Sequence, residues 1–96
     1  MEKNEIILQL KALGFEFNDR GGSVSTVYHI KELDTFSVYI LISNKVRVLI
    51  ETSGKGTYFI LLKEINFTFK ESNISQIVKE FNLLVKACEE FNKILL

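Results

Sequence analysis

Histidine and cysteine are the side chains from which a short chain most readily builds a nucleophile or a metal site. This chain of 96 residues has one of each, His29 and Cys88. A zinc site needs about four ligands. A catalytic triad needs a nucleophile, a base and a third group that orients the base. One His and one Cys supply neither set, and Cys88 falls on an apolar stripe at helical spacing, where a buried, inert thiol is the ordinary outcome. The segment Ser53-Gly54-Lys55-Gly56-Thr57 invites comparison with a phosphate-binding loop. Such a loop runs Gly-x-x-x-x-Gly-Lys-Ser/Thr from a strand into a helix. Here the leading glycine is missing, Lys55 precedes another glycine, and strand-like residues follow, so the segment reads as a hairpin turn. Arg20-Gly21-Gly22 is a single Arg-Gly-Gly unit beside Asn18-Asp19, which is turn chemistry. The carboxylates Glu16, Asp19, Glu32, Asp34, Glu51 and Glu64 are dispersed without the spacing of a metal loop. The residues therefore predict no catalytic group, no cofactor and no metal, and a protein that is not an enzyme.

Charge narrows the field of partners. Twelve basic residues balance twelve acidic ones, and only Arg20 and Arg47 among the basic set are arginine. Nucleic-acid binders draw much of their affinity from a basic excess, and arginine is the preferred fork for phosphates and guanine edges. Apolar residues make up 47% of the chain and charged residues 25%, the balance of an ordinary soluble globular domain. No apolar run approaches the ~18 residues of a membrane span. Met1 is followed by Glu2, Lys3, Asn4 and Glu5, which is no secretory leader. A lone cysteine cannot form an internal disulfide, so a reducing cytoplasm is the expected compartment.

The elements that must position any site follow from two changes of apolar period. Ile6, Ile7, Leu10 and Leu13 predict a short helix over 4–13, with Asn4 as its cap and Gly14 as its stop. From Phe15 to about Lys70 the period is two. Phe15 and Phe17 open a first strand, and Val24 to Ile30, Phe36 to Ile42, Val46 to Ile50, Tyr58 to Leu62 and Ile65 to Phe69 continue. From Asn73 onward the helical period returns in Ile74, Ile77, Val78, Phe81, Leu84, Val85, Cys88, Phe91 and Leu95, capped by Ser72 or Asn73 with Gln76 at the capping-box position. One α+β domain spans 1–96: an antiparallel meander of about five or six strands between a short N-terminal helix and a long C-terminal one.

Parity restricts the strand registers. Keeping Val38, Ile40 and Ile42 on the face of Val46, Val48 and Ile50 requires an odd loop, most simply Ser43-Asn44-Lys45. The next hairpin fits a three-residue loop, Gly54-Lys55-Gly56. The apolar parity then switches after Leu62, which calls for a tight turn at Lys63-Glu64 or a bulge. The expected core is Phe36, Val38, Ile40, Ile42, Val46, Val48, Ile50, Ile60, Leu62 and Phe67 under Ile74, Ile77, Phe81, Leu84 and Val85.

Two features exceed what a small closed domain needs. Tyr39, Leu41, Leu49, Phe59 and Leu61 fall on the opposite face of the sheet, where a wet face would carry polar residues. These five are the candidate partner-binding residues, to be covered by the N-terminal helix, a second subunit or a target. A 24-residue last helix would be about 36 Å long and a six-residue strand about 20 Å, so the helix end carrying Phe91, Ile94 and Leu95 should overhang and pair two copies into a homodimer. The function expected from these surfaces is non-enzymatic protein binding by a small regulator or inhibitor, of the kind with which phage and mobile elements block a host or defence enzyme. The alternative is a single-strand nucleic-acid binder stacking bases on Tyr39 and Phe59, since strands followed by a long helix resemble the architecture of Whirly-type binders.

Overall fold

The computed structural model describes residues 1–18, 22–29, 35–53 and 59–95. Helix α1 (Lys3–Ala12) precedes four strands, β1 (Gly22–His29), β2 (Thr35–Ile42), β3 (Val46–Ser53) and β4 (Phe59–Phe67), and helix α2 (Ile74–Leu95) closes the chain. The strands form one antiparallel sheet in the order β1-β2-β3-β4. The meander between two helices is as the periodicity predicts; the strand count is four among the described residues, not five or six.

Both surplus strands have a physical explanation. Phe15 and Phe17 alternate like a strand, yet residues 15–18 are not one. Gly14 sits at φ +102°, and its N–H bonds the Lys11 carbonyl at 3.0 Å while the Phe15 N–H bonds that of Leu10 at 3.1 Å. That pair of bonds is the Schellman stop of a helix, which turns the chain inward. Phe15 then meets Phe81 edge to face, ring centroids 5.1 Å apart. The second surplus strand disappears because β4 runs unbroken through the parity switch. Ile50 pairs with Lys63 and Glu51 with Leu61, which leaves Leu62 as the extra residue of a bulge. A second bulge at Ser25 places Val24 opposite Tyr39 but Thr26 opposite Val38.

Between β2 and β3 the register is the one parity requires, with Ile42 opposite Val46, Ile40 opposite Val48 and Val38 opposite Ile50. Between β3 and β4, Ser53 pairs with Phe59, so the connection is 54–58 rather than a three-residue loop, and it lies outside the described residues. Helix boundaries shift slightly. Glu2, not Asn4, occupies the cap of α1 and makes no side-chain cap bond. Asn73 caps α2 by accepting from the Gln76 N–H at 3.2 Å, whereas the Gln76 side chain bonds Glu80 instead of closing a box.

The inner face of the sheet and both helices share one core of Ile6, Leu10, Val38, Ile40, Ile42, Val46, Val48, Ile50, Ile77, Phe81, Leu84 and Cys88. Ile60 and Leu62, expected inside, are half exposed. Helix α2 lies across β1, β2 and β3, so the first half of edge strand β4 extends past its cover. The Met1 nitrogen donates to the Phe69 carbonyl at 2.9 Å, which ties the start of α1 to the turn before α2.

Candidate functional site

The outer face of the sheet carries neither helix, because Ile6 and Leu10 of α1 join the same inner core that α2 covers. The N-terminal helix is therefore excluded as its cover. Strand pairing assembles this face from Ser37, Tyr39 and Leu41 of β2, Arg47, Leu49 and Glu51 of β3, and Leu61, Glu64 and Asn66 of β4. Leu49 is at the centre, opposite Tyr39 on one side and Glu64 on the other. It is fully buried although neither helix lies over it.

Two diagonal pairs of polar side chains share the face with it. On one side Tyr39 meets Glu51, whose carboxylate accepts from the phenol. On the other, the Arg47 guanidinium donates through Nε to Oε1 of Glu64. Each pair joins residues on neighbouring strands displaced by one step along the face, the distance that long side chains span.

The electrostatics follow from this pairing. Burial pushes the Tyr39 hydroxyl well above the usual phenol range, and the hydrogen bond to Glu51 and that residue's charge push it further. The bond from Arg47 holds the Glu64 carboxyl below the usual carboxylate range, and the same bond raises Arg47. The platform is thus a set of paired polar groups around an apolar centre. A phenol with a raised pKa holds its proton and is a poor base, and a guanidinium bound to a carboxylate is a poor phosphate fork.

Of the five residues read as partner-binding, four are placed on this face. Tyr39 and Leu41 are half buried, Leu61 is 45% exposed, and Leu49 supports the others from beneath with 0% exposed. The Phe59 backbone opens β4, while its side chain lies outside the described residues, as does that of His29. Phe91, Ile94 and Leu95 belong to the last turns of α2, and their side chains too lie outside. Cys88 is buried beside Phe36, Ile50, Leu62 and Ala87 at one end of the core. Burial and the neighbouring Glu89 raise its thiol, the opposite of activation. Among the described residues no group of three or more His, Cys, Asp or Glu side chains could hold a metal ion. No helix among them is long and apolar enough to cross a membrane.

The sequence identifies the apolar members of this face and Arg47 as a basic neighbour of Tyr39, but reads Glu51 and Glu64 only as dispersed surface carboxylates. Their signal was available in the alternation of β3, but it becomes readable only when the bulge at Leu62 sets Glu64 opposite Leu49. Comparison with family models, curated proteins and solved structures returns no match to this chain.

Proposed function

We propose that this chain is a non-enzymatic protein-binding module, a small regulator or inhibitor that presents the outer face of its sheet to a partner protein. The observation that carries the reading is the set of paired polar side chains around the buried Leu49. A face whose side chains are already paired loses little freedom on docking, and such pre-organisation is what favours tight association over a small area. Around it Leu41 and Leu61 offer apolar contact, and Tyr39 is of the residue type enriched at the centres of interfaces. Against a nucleic-acid ligand stand Glu51 and Glu64 on the same face, which repel phosphate, and Arg47, which is committed to Glu64.

The test is capture of a partner from the native cell extract by the wild-type chain and by a Leu61→Glu variant. Leu61 is exposed enough to change without loss of fold. A protein retained by the first and released by the second, with circular dichroism unchanged, supports the reading. Retention of the same protein by both variants refutes it, and salt-sensitive binding of oligonucleotides in its place moves the function to single strands.

Self-association through Phe91, Ile94 and Leu95 is a second part of the proposal. The 22 residues of α2 span about 33 Å and the eight-residue strands about 26 Å, so an overhang of roughly one turn remains. Localisation in a reducing cytoplasm is proposed on the lone buried Cys88.

A further inference from the structure

A second surface lies on the helical side of the molecule, away from the outer sheet face. Leu13, just past the end of α1, and the exposed side of α2 enclose a shallow groove of about 710 Å³. Its apolar wall consists of Leu13, Ile74, Val78 and Leu83, and Leu13 and Leu83 are 60% and 52% exposed. Its charged lining is Lys79 and Lys86, seven residues apart on α2 and therefore on one side of the helix, about 10 Å from each other. No carboxylate is among the described residues that line it.

A helix normally turns its leucines toward the core and its lysines to solvent. Here α2 does so with Phe81, Leu84 and Cys88 on its buried face, yet it sets Leu83 on the opposite side. Leu13 is equally out of place: the Schellman stop at Gly14 holds the backbone there and leaves the side chain 60% exposed. Leaving two leucines in water beside an apolar groove sacrifices stability that burial would give. An apolar groove with a one-signed charged border suits helix-in-groove recognition, in which aliphatic anchors fill the groove and complementary charge sets specificity and register.

We propose that this groove binds an amphipathic helix of a partner protein, one with an aliphatic stripe at i, i+3 or i+4, and i+7 flanked by Asp or Glu. The aliphatic side chains fill the space between Leu13 and Leu83. The carboxylates meet Lys79 and Lys86, whose spacing matches two turns of the incoming helix. The site is independent of the outer sheet face, and Leu61→Glu leaves it intact.

The experiment is selection of helical peptides from a display library on the full chain, with counter-selection on Leu83→Glu. The expected peptides carry the aliphatic stripe with an acidic excess, and bind a Lys79→Glu/Lys86→Glu variant at least tenfold more weakly than the wild type. Circular dichroism of both variants should match the wild type, since all three positions are exposed. Selected peptides without an acidic excess, or equal binding to the lysine variant, overturn the proposal. Recovery of no peptide that distinguishes Leu83→Glu from the wild type overturns it as well. A doubling of mass in solution that Leu83→Glu abolishes assigns the groove to a second copy instead. Sedimentation with phosphatidylserine vesicles that Leu83→Glu abolishes assigns it to a membrane surface.

Discussion

Deleting one residue from the middle of a β-strand ordinarily ruins a sheet, because every side chain beyond the deletion changes face. Deletion of Lys63 should be an exception. In β4 the bulge sets Leu62 and Lys63 together against Ile50. Removal of Lys63 leaves Leu62 opposite Ile50, Glu64 still opposite Leu49, Ile65 opposite Val48 and Phe67 opposite Val46. No side chain changes face, and the ladder gains the regularity that the bulge denies it. The lost side chain is exposed, so the net change should stay within about 1–2 kcal/mol. Deletion of Val48 from β3, where the register is regular on both sides, is the control. It turns either Val46 or Ile50 and its neighbours out of the core, at about 1.5–3 kcal/mol for each apolar side chain exposed. A chain of this length has only about 5–14 kcal/mol of stability in total. Urea unfolding followed by circular dichroism should therefore show a cooperative transition for the Lys63 deletion and none for the Val48 deletion. Loss of the transition in the Lys63 deletion would refute the bulge, and with it the placement of Glu64 beside Leu49.

Leu49→Ala should cost about 2–5 kcal/mol, as much as Ile40→Ala in the inner core, because both side chains are fully buried; a urea midpoint that scarcely moves would mean that the outer face is open to water. The Ser23 hydroxyl is buried with no hydrogen-bond partner among the described residues, so Ser23→Ala should leave stability unchanged or raise it by up to about 1 kcal/mol, and a clear loss would show that the hydroxyl is satisfied. The carboxyl of Glu64 is held low in the folded chain, so its contribution is present above the ordinary carboxylate pKa of about 4.3 and is lost as pH falls through the lower folded value. Glu64→Gln should flatten that acid limb. Tyr39 behaves in the opposite sense: its raised phenol contributes fully below about pH 10 and the contribution is lost as pH rises toward the folded value, so absorbance at 295 nm should show one tyrosine titrating late, absent in Tyr39→Phe. Leu95→Glu should convert a dimer to a monomer of 11.1 kDa with unchanged circular dichroism, and light scattering that finds the unmodified chain monomeric removes the self-association reading.

What could be read from the sequence depended on whether a signal was local. The Ser43-Asn44-Lys45 register was legible because Val38 to Ile42 and Val46 to Ile50 each keep strict alternation, and only an odd loop leaves both sets on one face. The Gly14 stop was legible because a left-handed position after a helix favours glycine on its own terms. The bulge at Ser25 was not, since one extra residue reverses parity and reads as a break, whereas the reversal after Leu62 was legible as a turn or a bulge, and the register has the bulge. That reversal created the surplus strand at Ile65 to Phe69. Phe15 and Phe17 misled for a different reason: two apolar residues at period two fit a strand as well as they fit a chain pressed against Phe81. The Arg47–Glu64 pair beside Leu49 and the groove beside Leu13 were beyond local reading, because each joins residues that only the completed fold brings together.

The bulge at Leu62 also decides which surfaces are open to a partner. Strand β4 is an edge, and Ile60, Leu61 and Leu62 form a run of exposed apolar residues on it. An edge with that composition would pair with any extended chain through its backbone. The bulge interrupts the regular row of donors and acceptors, and Lys63 places a charge at the same point. Backbone pairing is thereby discouraged while the side chains on either face keep their positions. The proposed recognition is accordingly through side chains, on the outer face around Tyr39 and Leu61 or in the groove around Leu13 and Leu83. The Lys63 deletion separates these roles within one molecule. It restores a regular, uncharged apolar edge while leaving both side-chain surfaces intact, so it should retain the fold and any partner yet aggregate at concentrations where the wild type stays dispersed.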